Sequence, residues 1–211
     1  LLTVATHPSL RYERKLWRDG LLAVAGVDEA GVGPMAGPVV AAAVIFEPNT
    51  FIKGVNDSKQ LRPEEREAYF AKIQQHALAI GVGVASQQEI DKLNIFWATM
   101  LASRRAVESL LRKPDHVLVD GRLIPDLPVP QTRIVGGDRK SFCIAAASII
   151  AKVTRDRMMI SYDAQFPGYG FAQHKGYCTR EHLAVLQRLG PSPLHRLSFA
   201  PVWEAAQRKL F

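Results

Sequence analysis

The sequence predicts an α/β fold built around one sheet, and three observations carry that reading. Short runs rich in Val, Ile and Ala, bounded by Gly and Pro, alternate with longer stretches of helical character. The strand and helix signals interleave along the chain rather than segregating into separate blocks. The 211 residues suffice for one substantial core with a small appendage, and fall short of two full-sized domains.

Residues 21–27 and 37–46 (GPVVAAAVIF) predict two buried strands joined by a glycine-rich loop. RPEEREAYFAKIQQHALAI, residues 62–80, predicts a helix with Pro63 at its first position and Glu64 and Glu65 in its first turn, where the helix dipole favours acids. IGVGVAS, residues 80–86, returns as a strand. Residues 94–111 predict a second helix, stopped before Pro114, and HVLVD predicts a short strand finishing on Asp120. TRIVGGD suggests another short strand. RKSFCIAAASIIAKVTRDRMM then predicts a long helix whose small residues permit close packing, with Phe142, Met158 and Met159 as core residues and Cys143 as a small buried hydrophobe. The chain changes character near Phe166. FPGYGFAQHKGYCTREH is loop-like, TREHLAVLQRL is a helix capped by Thr179 and stopped by Gly190 and Pro191, and WEAAQRKL makes a last short helix. The expected organisation is a core over residues 1–165 and a helical extension over 166–211.

Lys and Arg exceed Asp and Glu by 27 to 20, a net charge of +7 that favours polyanions; simple solubility is the alternative. The two cysteines, Cys143 and Cys178, form neither a disulfide framework nor a CxxC metal site, so a reducing, cytoplasmic setting is expected. No apolar run approaches a membrane span, and LLTVATHPSLRYERK lacks the order of a secretory signal. The sequence starts on Leu rather than Met, so a longer natural start is expected.

The stretch GVDEAGVGPMAGP, residues 26–38, places Asp28 and Glu29 where a strand ends and a glycine loop begins. A dinucleotide turn would require a helix to open at once, whereas Pro34 and Pro38 lead into a β-branched run, and no G-K-[ST] is present for a P-loop. Asp120 also ends a predicted strand, and Asp138 sits between a strand and the long helix. In an open α/β sheet the carboxyl ends of strands gather at one rim, so four carboxylates could meet there. Clustered carboxylates need a cation to stay ionised together, and magnesium suits a set of oxygen ligands without His or Cys. Asp28 and Glu29 can share such a site only where strand alternation breaks, for which Gly31 offers a place. Each acid also has a plainer reading: Asp138 as a helix N-cap, Asp120 as a turn residue, Asp57 as a turn former, Asp156 as a solvent-facing partner of Arg155 or Lys152. Residue pattern alone leaves the metal site and the set of caps and turns as open alternatives.

In order along the chain, GVDEAGVGPMAGPVVAAAVI, NDSKQL, LVDG, GGDRKSFCIAAASIIAKVTRDRMM and HKGYCTREH...LGPSPLHRLSFAPV closely resemble bacterial ribonuclease HII, the type 2 ribonuclease H family. The resemblance runs from Ala23 to Val202. It implies a ribonuclease H-like fold, a mixed five-stranded sheet flanked by helices, with a C-terminal helical extension that completes the substrate site. It implies Asp28, Glu29, Asp120 and Asp138 as catalytic, metal-binding acids and a divalent cofactor, Mg2+ or Mn2+. The implied activity is hydrolysis 5′ of ribonucleotides in RNA/DNA hybrids, and of single ribonucleotides in duplex DNA, leaving a 3′-hydroxyl and a 5′-phosphate by two-metal-ion chemistry. Backbone groups of the loop Gly31, Val32, Gly33 would read the 2′-hydroxyl that separates RNA from DNA, and Tyr177 would pack on the adjoining sugar. The family usually carries arginine where Val32 stands, so the preference for RNA–DNA junctions is expected to change more than the chemistry.

Lys59, Lys152, Lys175 and Arg196 match family positions for phosphate contacts, with ordinary surface charge as the alternative. His174, His182 and His195 read as packing or loop residues, because none has a metal-ligand companion at suitable spacing. The final QRKLF resembles bacterial sliding-clamp-binding peptides, the alternative being an amphipathic helix end. A monomer is expected. The rival functions are a noncatalytic or attenuated duplex-binding module that retains the fold, which would need a broken acid set, and a phosphohydrolase of small phosphates.

Overall fold

The structure, a computed structural model, describes residues 7–207. Strands β1 (Val24–Ala30), β2 (Val39–Phe46), β3 (Ala77–Ala85), β4 (His116–Asp120) and β5 (Gln131–Ile134) form one mixed sheet, ordered β3-β2-β1-β4-β5. β1, β2 and β3 pair antiparallel in sequence, whereas β1–β4 and β4–β5 are parallel. β2 is buried along all eight residues, which explains why GPVVAAAVIF shows no polar alternation. Helices cover both of its faces. On one, α3 (Gln87–Glu108) packs Ala98, Ala102 and Ala106 against Ala25, Val27, Ala41 and Ala43. On the other, α4 (Phe142–Gln165) packs against Ala42, Val44 and Phe46. The fit of β1 on α4 requires glycine at position 26, where a Cβ would lie 2.2 Å from the Cys143 carbonyl carbon.

Several elements differ from the sequence expectation, among them β1, expected over 21–27 and running on through Asp28 and Glu29 to Ala30. The helix expected over 62–80 stops earlier, as α2 (Pro63–His76), and Ala77 onward joins β3. Pairing with β2, from Phe46 with Ala77 to Val39 with Ala85, outweighs the helical propensity of those residues. The helix expected from Asn94 starts at Gln87, because Ser86 and Glu89 form a capping box. It kinks at Asn94 (φ 68°), whose side-chain oxygen accepts from Phe96 and Trp97 N–H at 2.9 and 3.2 Å and so starts the second segment. An unanticipated helix, α1 (Arg11–Arg18), carries the fully buried Glu13. Its Oε1 accepts from the Ser141 hydroxyl at 2.6 Å and the Cys143 N–H at 3.0 Å, tying α1 to the positive end of α4.

The C-terminal extension comprises the one-turn α5 (Phe171–His174), α6 (Arg180–Leu189) and α7 (Ala200–Gln207). Thr179 caps α6 and Gly190 ends it, as the sequence predicts. Phe171 and Leu194 pack with Ala36 and Met159, while Leu186 and Val202 surround Met35. The extension therefore folds onto the loop between β1 and β2. Phe142, Cys143 and Met159 are buried as expected, and Met158 only half so. Residues 208–211 of the QRKLF tail lie outside the described residues.

Candidate functional site

β1 and β4 run side by side in the same direction, and one step beyond their last pair, Val27 with Val119, stand Asp28 and Asp120. The parallel register thus brings two acids from distant segments to one rim. The Asp120 Oδ1 accepts from Gly137 N–H at 2.7 Å, which draws the turn Gly137–Arg139, and Asp138 within it, over the same rim. Asp28, Asp120 and Asp138 each offer an oxygen within 4.8 Å of the others. Asp138 does not cap α4, because Ser141 takes that place and accepts from Ile144 N–H.

Glu29 reaches the rim differently from the way its position beside Asp28 suggests. β1 stays in regular register through Ala30, so the break in alternation expected near Gly31 does not occur at the acids. Glu29 keeps the parity of Ala25 and Val27 on the α3 side, whereas Asp28 shares the α4 side with Gly26. Glu29 stands outside the three-carboxylate cluster and faces a cavity of about 300 Å³ lined also by Val32, Ile95, Phe96, Thr99 and Asp120. A larger hollow, about 760 Å³, lies by Arg11, Arg14, Trp17 and Leu22 at the opposite end of the sheet, away from every acid of the rim. Size alone does not find the chemistry.

The rim is electrostatically unsatisfied. Burial, then Glu29 and Asp120, push the Asp28 carboxyl well above the carboxylate range, against a hydrogen bond from Ser148. Burial and Asp120 raise Glu29 to about 7. Asp138 is raised by burial, Asp57 and Asp120. Lys59 is the nearby cation: burial alone would lower it, yet Asp28, Asp57, Asp138 and Asp120 hold its ammonium above the ordinary value. Its backbone is fixed by Asp57, which accepts from Lys59 N–H at 2.9 Å in the turn-forming role expected of it. Like charges held this close, all on oxygen and without His or Cys in the cluster, fit a hard divalent cation.

Gly31, Val32 and Gly33 follow β1 directly, and Val32 is exposed. Tyr177 is exposed too, and its ring edge lies 4.0 Å from where a Cβ on Gly33 would sit, so loop and tyrosine are neighbours. Lys152 pairs with Asp156 at 2.7 Å and lies 5.8 Å from the Tyr177 ring centre. The Lys175 ammonium turns back to the carbonyl of Ala172, and burial lowers its pKa. Arg196, expected at the surface facing phosphate, is instead fully buried and donates to the carbonyls of Gly37, Val32 and Gly31 at 2.9, 3.0 and 2.6 Å. Beside it lies Arg155, also buried, a residue read from the sequence only as a surface ion-pair partner. Its spacing held the signal: Ala151, Arg155 and Met159 recur every four residues on the buried stripe of α4. The histidines pack as expected. His174 and His182 stack at 3.9 Å, His182 and His195 meet Nε2 to Nε2 at 3.1 Å, and burial pushes His182 and His195 down to about 4.

Comparison with known proteins agrees with this geometry. The family model described as Ribonuclease HII matches residues 25–202. The chain belongs to the ribonuclease HII family. A ribonuclease HII of Moorella thermoacetica is 56% identical over 188 residues, covering 89% of this chain and 91% of that protein. A crystal structure of the ribonuclease H2 from Pyrococcus horikoshii OT3 superposes with a TM-score of 0.74 at 28% identity, covering 89% of this chain and 98% of its own. The ribonuclease HII in a PCNA complex from Archaeoglobus fulgidus does so with a TM-score of 0.71 at 27% identity, over 84% and 95% of the two chains. The mixed sheet with flanking helices is thus the ribonuclease H-like fold, and the acid rim sits in a family of type 2 ribonucleases H. Among the described residues no helix is long and apolar enough to cross a membrane.

Proposed function

We propose that this chain is an endoribonuclease that cuts 5′ of ribonucleotides in RNA/DNA hybrids and at single ribonucleotides in duplex DNA, leaving a 3′-hydroxyl and a 5′-phosphate. The observation that carries the reading is the cluster of Asp28, Asp120 and Asp138, two buried carboxylates and one half-buried from three segments with oxygens within 4.8 Å. These acids, with Glu29 approaching from the other face of β1, would hold Mg2+ or Mn2+. Bound there, divalent ions supply activation of water and stabilisation of the leaving oxygen. The protein's own groups do the rest. Asp28, Asp120 and Asp138 would present carboxylate oxygens as ligands, Lys59 adds positive charge beside them, and Gly31 to Gly33 with Tyr177 would orient the sugar. The extension from residue 166 completes this substrate site, and Lys175 helps to shape its edge.

The test is a labelled DNA duplex carrying one ribonucleotide, run beside an uninterrupted hybrid with Mg2+ or Mn2+, with the product ends analysed. Cleavage of both, abolished in Asp138→Asn, is expected; binding without cleavage by the parent protein would favour the noncatalytic duplex-binding alternative. The QRKLF tail would contact a sliding clamp, a reading supported by the archaeal relative's PCNA complex. Deletion of Gln207 to Phe211 should then abolish clamp pull-down and leave cleavage of short duplexes in place. A cytoplasmic monomer completes the proposal.

A further inference from the structure

We propose that Arg155 and Arg196 are positioning residues that lock the loop after β1 and the Tyr177 segment into one substrate-reading surface. The inference rests on the functional reading above and deepens it.

Each guanidinium is buried and donates to three backbone carbonyls. Arg155 reaches Pro38 at 2.9 Å, Ala36 at 3.1 Å and, across the gap to the extension, Lys175 at 2.9 Å. Arg196, itself in the extension, reaches back to Gly31, Val32 and Gly37. Arg196 thus reaches from the extension to the loop, while Arg155, on α4, holds the loop and the extension at once. Neither has a carboxylate within ion-pairing distance among the described residues. Burial, with the neighbouring Arg155 second, lowers Arg196 to about 9, which leaves it charged at neutral pH. Removing either donor set would leave buried carbonyls without partners.

Backbone bonds close the same seam. Met35 N–H donates to Gly176 at 2.9 Å, Gly37 N–H to Leu194 at 2.8 Å, and Arg196 N–H to Met35 at 2.9 Å. Gly31 (φ +94°) is required here, because a Cβ would meet the Arg155 Nε at 2.1 Å.

The consequence for recognition follows from peptide geometry. A trans peptide points its carbonyl and the next N–H in opposite directions. Since Arg196 gathers the carbonyls of Gly31 and Val32, the N–H groups of Val32 and Gly33 point away from it. Neither has a protein acceptor among the described residues. Arg196 thus sets the direction of two free donors beside the acid rim, and Arg155 sets the distance from them to Tyr177, 6.0 Å from its own guanidinium carbon. With Val32 in place of arginine, this orientation depends on charges beneath the loop rather than upon it.

Lysine keeps the charge but cannot hold three carbonyls from one planar fork. Arg155→Lys and Arg196→Lys are compared with the parent full-length chain in three assays. These are cleavage of the single-ribonucleotide duplex, affinity for that duplex relative to an all-DNA duplex without metal, and Mn2+ binding without substrate by calorimetry. Each variant should lose about 100-fold in kcat/KM, the scale of a misplacement near 1 Å. Its preference for the ribonucleotide duplex should fall toward one, while Mn2+ affinity stays at the parent value. The double variant should be no worse than the poorer single, since both act on one seam. Parent-like kcat/KM and preference in both folded variants overturn the proposal and leave the functional reading standing. So does an equal fall in Mn2+ affinity, or a failure of both variants to fold, because the role is then general stability. Absence of cleavage by the parent protein sinks the functional reading itself.

Discussion

The acid rim and the arginine seam lie within a few residues of each other, and both bury charge, yet they handle it oppositely. At the rim, Asp28, Asp120 and Asp138 face one another across less than 5 Å, with proton affinities raised at Asp28 and Asp138. In the seam, Arg155 and Arg196 are buried more completely, but carbonyls already occupy three donors of each. A buried charge with its partners supplied by the chain is part of the scaffold. One left among like charges is a place where something else must bind.

Substitutions at the two regions should therefore move stability in opposite directions. Asp28→Asn should lower cleavage by about 10²–10³-fold or more, the scale of losing one preorganised electrostatic group. The same change should raise the melting temperature of the metal-free protein, because a repulsive carboxylate is gone. A lower melting temperature for Asp28→Asn would break the comparison. Arg155→Leu should do the reverse, leaving three carbonyls unpaired and lowering unfolding free energy by about 3 kcal/mol or more in chemical denaturation.

The pH dependence sharpens the contrast further. Glu29 has a folded pKa of about 7, above its unfolded value of 4.5, so the folded state binds more protons between the two. The contribution of Glu29 to the stability of the metal-free protein should be lost as pH rises from 4.5 through 7, and a divalent ion should offset that loss by favouring the ionised carboxylates. His182 and His195, beneath the seam, are lowered from 6.5 to about 4 and stay neutral when folded. Their contribution is complete above pH 6.5 and is lost as pH falls through 4, with no help from metal. The two windows overlap with opposite signs, so the difference between melting curves with and without Mn2+ isolates the carboxylates: the stabilisation by Mn2+ should grow as pH rises from 4.5 through 7. A stabilisation by Mn2+ that is flat across this range would contradict the assignment.

The smallest expected effect is at Val32, exposed on the loop that joins the regions. Val32→Arg should add about one phosphate contact, steepening the log affinity against log salt slope by about 0.9 and shifting the ratio of junction to hybrid cleavage. An unchanged slope would mean that the seam alone governs the loop.

The acids were legible because apolar runs lead into them: in LLAVAGVDE and HVLVDG composition alone places Asp28, Glu29 and Asp120 toward the ends of strands, although β1 continues to Ala30. Whether they form a site was not, since Asp28 and Asp120 meet only through the parallel pairing of β1 with β4. Glu29 shows the limit of local reasoning. Its neighbourhood to Asp28 invited a broken strand, whereas the end of a regular central strand lets both faces look onto one rim. Residues 77–80 looked helical because their strand character comes from β2 beside them. Arg196 looked like surface charge because nothing in PLHRLSF announces the three carbonyls waiting for it 159 to 165 residues upstream.

By itself, then, the sequence determined the order of the five strands and of helices α2, α3, α4, α6 and α7, the cap at Thr179 and the chemical kind of each candidate ligand. These follow from periodicity, side-chain chemistry and short-range hydrogen bonding, which act over a few residues. Tertiary structure alone decided which acids share oxygens, which face Glu29 takes and which arginines turn inward. Those outcomes depend on pairing between distant segments, where burial makes an unsatisfied charge or carbonyl costly enough to fix its partner.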